Sequence, residues 1–380
     1  MLVSNRYKDR VERVEKHFLE AFNFACETPP YVIYDPLPFV CGRKKDDIPE
    51  GYFGDDPEVM ARDQTEKIER HMEVFDDSFS PTLFPFLGTG VLASAFGVEN
   101  IFREGMDPSV GMATINDIGQ LSELRKPIPE VDGLMPKVLK YIRFMKEYSD
   151  LPVTITDPQG PLTTALSIVG YENFIYWLYD YPEKMHDFMQ LVTDSLIDWI
   201  KLQKEIAGHA IDDDTYIEGI RVPEGFGGVC FSDDDSVMFG ADLYREFVLP
   251  YNSQVLKAFG GGAIHYCGNS NQNVKNYLAT DGLTAIHNNY MDNIDAAMVM
   301  KNALSEKNII YYASDYAVAD GYIEEYFETM VKKLGKKGLV ISSVIAPSVV
   351  IDKGVYSYCE RDGDILAKKV EAAIKKALKI

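Results

Sequence analysis

From residue 80 to the end of the chain, short apolar stretches alternate with helix-forming ones, and this alternation limits the fold more than any other feature. The apolar stretches are 80–86, 152–156, 227–231, 263–266, 283–287, 309–313 and 339–344. Helical periodicity marks 183–206, 241–259, 271–278, 294–304, 321–334 and 364–378. The short stretches are apolar on both faces, as parallel strands buried on both sides must be. Repeated β–α units close into a barrel or open into a doubly wound sheet. A glycine fingerprint at a strand-to-helix turn, the mark of a dinucleotide-binding sheet, is missing. The expected fold is therefore α/β, a (β/α)8 TIM-type barrel. Residues 1–75 read as an N-terminal helical and loop extension packed on it, and 76–380 as the catalytic barrel of a single-domain chain. Within the extension, a helix is expected over 6–24, and a second begins at Pro57 behind Asp55 and Asp56.

In a barrel the chemistry sits where strands end and βα loops begin. Here those places carry Asp157, the run Ser232-Asp233-Asp234-Asp235, His265 with Cys267, His287, and the pair Ser342-Ser343. His265 and Cys267 are two residues apart, so on a strand they share a face. Imidazole and thiolate together make half of a tetrahedral zinc site, although a buried His and a buried Cys that merely share a strand have the same spacing. The three acids after 227–231 can bind a cation, accept substrate hydrogen bonds or cap the next helix, and capping is the plain reading for at least one of them. Asp233 and Asp234 are candidates for substrate contacts, Asp234 also for proton handling. Asp157, followed by Pro158 and Gly160, either orients a substrate or closes a turn. His287 is a candidate general acid or base, or a structural histidine. His17, His71, His186 and His209 lie on or beside charged helices and read as surface residues. Tyr266, Tyr290, Tyr312 and Tyr316 stand near strand ends. Of these, Tyr266 and Tyr290 are candidates to line an apolar or aromatic substrate pocket.

Composition narrows the class. The net charge of −21 repels phosphate backbones and argues against nucleic acid as a partner. No apolar run of about 18 residues is present, so no membrane-spanning helix is expected. The charged N-terminus lacks the apolar core of a secretion signal, and a cytoplasmic location is expected. Five scattered cysteines, Cys26, Cys41, Cys230, Cys267 and Cys359, argue against a disulfide framework and leave core thiols or metal ligands.

Longer stretches then carry a resemblance. Asp157-Pro-Gln-Gly-Pro-Leu, Gly170-Tyr-Glu-Asn-Phe, Tyr179-Asp-Tyr-Pro-Glu-Lys-Met, Ser232-Asp-Asp-Asp with Tyr244-Arg-Glu-Phe-Val-Leu-Pro-Tyr, and Phe259-Gly-Gly-Gly-Ala-Ile-His-Tyr-Cys-Gly-Asn occur in that order. Together they resemble the uroporphyrinogen decarboxylase superfamily over residues 60 to 345. The resemblance implies a (β/α)8 barrel with one of two chemistries. The decarboxylase branch needs no cofactor and binds its porphyrinogen through an essential Asp and an arginine-bearing N-terminal segment, which is not found here. The other branch holds corrinoid-dependent methyltransferases with His-x-Cys on one strand and a third Cys near the C-terminus. His265 and Cys267 match the first two, and the stretch from Pro81 to Gly97 is similar to ether-demethylating members. The implied activity is zinc-dependent methyl transfer between a small methyl ether, amine or thiol and the cobalt of a corrinoid (cobalamin) on a partner protein. A homodimer is compatible with it. Where the third Cys is expected this chain has Ser342 and Ser343. Cys359 is the expected third ligand, with Cys230, Glu218 and Glu224 as alternatives.

Overall fold

The computed structural model describes residues 6–34, 43, 47–212, 216–217, 220–291, 293–316, 318, 320–347, 349–352, 355–358 and 361–380. Six strands form one parallel sheet: β1 (Tyr31–Tyr34), β2 (Val229–Ser232), β3 (Gly262–Cys267), β4 (Leu283–Asn289), β5 (Ile310–Tyr316) and β6 (Leu339–Val344). Their order is β1-β6-β5-β4-β3-β2. Two more segments close the ring with single parallel bridges, Leu83 to Val153 and Gln159 to Ser232. These two were expected as full strands, but prolines at 81, 85, 152 and 158 remove the N–H groups a ladder requires. What survives is a pair of bonds around Leu83, whose N–H donates to the Pro152 carbonyl and whose carbonyl accepts from Thr154. The result is the eight-fold barrel expected from the alternation.

β1 lies inside the stretch expected to precede the barrel, yet it pairs with β6 from Tyr31 opposite Ile341 to Tyr34 opposite Val344. The boundary placed at residue 75 therefore does not separate extension from barrel. Asp77 makes the join on the other side of β1. Its carboxylate accepts from the Ile33 N–H at 2.8 Å, the Phe79 N–H at 3.2 Å and Arg10 Nη2 at 2.7 Å, and meets His71 Nε2 at 3.1 Å. His71, expected at the surface, is buried in this contact. The signal was ambiguous because His71 ends an amphipathic helix, Pro57–Val74, whose buried face includes Ile68 and Met72.

Helices cover the outside of the barrel. Pro182–Ala207, Ile294–Ser305, Ile323–Leu334 and Gly363–Leu378 fall where the periodicity places them. The expected helix over 241–259 is split into Ala241–Phe247 and Leu249–Ala258. Pro250 has no N–H to continue the first helix and restarts the second. Below the barrel, helix Lys8–Phe22 turns Val14, Phe18 and Phe22 inward. The Phe22 ring meets Phe226 at 5.1 Å and Tyr312 at 6.3 Å, which closes the N-terminal end of the barrel. No helix among the described residues is long and apolar enough to cross a membrane.

Close backbone approach governs the start of β2 and β3. Gly227 has φ of +120°, and a Cβ there would stand 1.9 Å from the Gly261 carbonyl carbon. No rotamer change relieves a clash with backbone, and the dihedral is one L-residues rarely adopt. Gly227→Ala is expected to lower stability by about 3 kcal/mol, from strain and overpacking together. Urea unfolding midpoints measure this, and an unchanged midpoint would show that the two strands can part.

Candidate metal centre

β3 and β4 run side by side with His265 opposite His287. Ser232 of β2 lies opposite His265, and Tyr312 of β5 opposite His287. Residues paired this way point to one side, so these four form a belt across neighbouring strands. Period-two alternation then brings Cys267 round to the face of His265, one pleat nearer the C-terminal end. Just beyond β2, Asp234 opens a short 3₁₀ turn, Asp234–Met238. Its Oδ1 accepts the Cys267 N–H at 2.7 Å, which holds the carboxylate against the end of β3.

Three potential ligand atoms converge. His265 Nε2 lies 3.5 Å from Asp234 Oδ1 and 3.6 Å from Cys267 Sγ. The carboxylate, imidazole and thiol donor atoms all lie within 4.8 Å of one another. A tetrahedral zinc ion, with bonds of about 2.0 to 2.3 Å, places nitrogen and oxygen ligands about 3.4 Å apart and nitrogen and sulfur about 3.6 Å apart. The observed separations match those edges, and the mixed O, N, S set suits zinc. The residues present therefore fit a zinc ion, with three protein ligands and a fourth corner left over. That corner is accessible, because the Asp234 side chain is 42% exposed whereas that of His265 is 7%.

Behind the ligands the site is buried. His265 Nδ1 and His287 Nδ1 stand 2.5 Å apart with ring centroids at 4.7 Å. Burial, reinforced by the neighbouring His265, holds His287 well below the ordinary imidazole range, so His287 is neutral at pH 7. Its Nε2 has no hydrogen-bond partner among the described residues. Asp157 is buried one segment further round, where its Oδ1 is 3.5 Å from Ser232 Oγ. Asp157, Asp234, His265, Cys267 and His287 thus gather in one region, as their positions at strand ends suggested.

Other expected site residues stand elsewhere. Tyr266 lies between His265 and Cys267 and so points outward, where its ring stacks on Tyr277 at 5.5 Å. Tyr290 stacks on Tyr326 of an outer helix and pairs with it hydroxyl to hydroxyl. Alternation turns Tyr266 away from the face shared by His265 and Cys267, whereas Tyr290 lies just beyond the end of β4 with its ring against Tyr326. Asp233 also leaves the cluster. It is wholly buried and accepts from Asn252 Nδ2 at 2.9 Å on an outer helix. Burial there pushes its carboxyl up to about 7.

Of the third-ligand alternatives, Cys359 and Glu218 fall outside the described residues. Glu224 is exposed in the turn before β2, at the wrong end of the strand. Cys230 is buried within β2, four residues before Asp234. Ser342, standing where a cysteine was expected, is buried with its hydroxyl unpartnered among the described residues. Asp234, read from sequence as a catalytic acid, is the third member of the cluster among the described residues. The only sequence hint was its place one strand away from His265 in a run of acids that no cap explains in full.

Comparison with known proteins agrees with this frame. The uroporphyrinogen decarboxylase (URO-D) family model matches residues 53–213. A methylated-thiol–coenzyme M methyltransferase from Methanosarcina mazei is 30% identical over 148 residues, which are 38% of this chain and 35% of that protein. A uroporphyrinogen decarboxylase from Xylella fastidiosa is 22% identical over 179 residues, 45% of each chain. One from Corynebacterium glutamicum is 23% identical over 210 residues, 54% of this chain and 51% of that one. The matches thus span about a third to a half of these relatives. Among solved structures, a methyltransferase from Methanosarcina mazei superposes with a TM-score of 0.69 at 18% identity, covering 96% of this chain and 98% of that one. The fold is therefore the one that this methyltransferase has, and the family match agrees with the resemblance carried by the sequence motifs. The family match ends before β3, so the metal centre rests on its own geometry.

Proposed function

We propose that this chain, a URO-D superfamily barrel, is a zinc-dependent methyltransferase that moves a methyl group between a small heteroatom substrate and the cobalt of a corrinoid on a partner protein. The observation that carries the reading is the spacing of the Asp234, His265 and Cys267 donor atoms, 3.5 and 3.6 Å from His265 Nε2, at the mouth of the barrel. The similarity to a methylated-thiol methyltransferase favours thioethers and thiols over the ethers and amines that also fit the chemistry.

Asp234, His265 and Cys267 would hold the zinc, which as a Lewis acid stabilises the substrate's sulfur or oxygen. The substrate bond to methyl breaks with its electron pair left on that heteroatom, so the site must favour an anion there. The residues behind the ligands serve this. His265 and His287 exclude water from the rear of the centre and keep the dielectric low, which strengthens every charge interaction at the mouth. Neutral His287 and buried Asp157 stand ready to orient the substrate, and Asp234, fixed by the Cys267 N–H, keeps the ligand set in place before substrate arrives.

Asp234→Asn tests the third ligand with little cost to folding, because the amide oxygen can still accept the Cys267 N–H. A neutral amide is a poor zinc ligand. Zinc affinity is expected to fall by about 100-fold, at the upper end of what even outer contacts to a metal are worth. Competition against a chromogenic chelator measures it, and unchanged affinity would return the third position to Cys359 or another residue.

A second reading has one observation in its favour: the family match and two relatives bear the decarboxylase name. Under it, Asp157 steadies a protonated pyrrole-like intermediate without any metal. Coproporphyrinogen formation from uroporphyrinogen by chelator-treated protein supports this reading; methyl transfer to a reduced corrinoid supports the first.

A further inference from the structure

His265 and His287 pair in a way that the metal reading does not by itself require. Their Nδ1 atoms lie 2.5 Å apart, so one proton must sit between them. A neutral imidazole has a single N–H, and two acceptor nitrogens cannot approach so closely. Two arrangements satisfy the contact. In the first, His265 donates from Nδ1, its Nε2 bears a lone pair, and His287 has its own proton on Nε2. In the second, His287 donates from Nδ1, and neutral His265 has its proton on Nε2, the atom facing Asp234 and Cys267.

Only the first arrangement lets His265 bind a metal. The surroundings keep the pair together: the two rings sit opposite each other in register on β3 and β4, and His287 is 1% exposed. Ring nitrogens of metal-binding histidines usually give their other N–H to a carboxylate, a carbonyl or water. Here the group beside His265 Nδ1 is a second imidazole.

We propose that His287 is a positioning residue that accepts the Nδ1–H of His265, thereby fixing the tautomer whose Nε2 faces the ligand cluster, and that His287 in consequence holds its own proton on Nε2 within the barrel. That Nε2–H is a buried donor with no acceptor among the described residues. It is the group through which a substrate bearing an acceptor atom, such as a carboxylate or ether oxygen, meets the back of the site. The inference rests on the zinc reading above and deepens it.

The test is a long-range ¹H–¹⁵N correlation spectrum of the imidazole rings in the full-length, zinc-loaded protein, with signals assigned by their loss in His265 and His287 variants. The expected pattern is a protonated Nδ1 and a metal-shifted Nε2 on His265, with an unprotonated Nδ1 and a protonated Nε2 on His287. A proton on His287 Nδ1 while His265 Nε2 is metal-shifted overturns the proposal and leaves the zinc reading intact. A His265 Nε2 untouched by zinc overturns the zinc reading and the proposal with it. Two variants add a readout that a packing role would not move. His287→Gln keeps an acceptor for Nδ1–H and is expected to hold zinc within about 5-fold of wild type, whereas His287→Phe keeps a ring but no acceptor and is expected to lose about 10- to 100-fold. Equal affinities in the two variants, whether both weak or both unchanged, would contradict the role.

Discussion

Cys267→Ser is expected to abolish bound zinc at micromolar protein and to slow methyl transfer by about 10²- to 10³-fold, with the fold retained. The thiolate is the softest of the three donors and the one a hydroxyl least replaces. Losing the Lewis acid costs several kcal/mol of transition-state stabilisation, and each 1.36 kcal/mol is about tenfold in rate. The side chain is half-buried at the end of β3, so its removal opens no core cavity. Its backbone N–H, which holds Asp234, is untouched by the substitution. His265→Ala should act in the same direction, with some added loss of stability because His287 then loses its neighbour. Cys230→Ala should keep its zinc, since that thiol stands four residues before Asp234 inside β2. Metal content by plasma mass spectrometry, read beside single-turnover transfer rates, checks all three. A Cys267→Ser protein with full zinc and full rate would sever the thiol from the chemistry.

The second large effect concerns stability. Asp77→Ala is expected to cost about 3 to 5 kcal/mol, the range seen when one partner of a buried charge pair is removed. Asp77 bonds both Arg10 and His71, and it takes the place of a β-ladder between β1 and the next barrel segment. Arg10 also donates to the carbonyls of Met72 and Phe75, so losing Asp77 loosens helix, strand and loop together. Burial would raise the Asp77 carboxyl, but the charge and hydrogen bond of His71, the Ile33 N–H and the Arg10 guanidinium outweigh it and hold the group below the usual carboxylate range. The sign follows. A folded-state value below the unfolded one means that the unfolded chain binds more protons in that window. The contribution is complete above about pH 4, the ordinary aspartate value, and is lost as pH falls through the lowered one. Wild type should therefore show a steep acid limb in its unfolding midpoint, and Asp77→Asn a shallower one from a lower plateau. Parallel acid limbs would mean that Asp77 titrates as an ordinary exposed acid.

Most of the barrel was legible because parallel strands buried on both faces leave long apolar runs, and β2 to β6 lie within a few residues of the expected stretches. The segments at 80–86 and 152–156 were legible as barrel positions but not as what they are, since their prolines limit them to isolated bridges. β1 was visible as four apolar residues, yet nothing local tells that Tyr31–Tyr34 pairs with the strand Leu339–Val344. The helices Met135–Tyr148 and Tyr171–Asp180 were overlooked between the more regular repeats. In the site, a spacing of two on a strand was enough to put His265 and Cys267 on one face and should equally have excluded Tyr266. The Asp234 contact was not legible, because it depends on how the loop after β2 folds over the end of β3. The contact between His265 and His287 needs the register of two strands, which the sequence does not specify.

The central claim is that Asp234, His265 and Cys267 bind one zinc ion. X-ray absorption at the zinc edge on protein purified without chelators measures it most directly. The account predicts one sulfur ligand at about 2.3 Å with the remaining nitrogen and oxygen ligands at about 2.0 to 2.2 Å, and loss of the sulfur shell in Cys267→Ser. A zinc shell with two sulfurs, with none, or a protein that holds no zinc at all would contradict it.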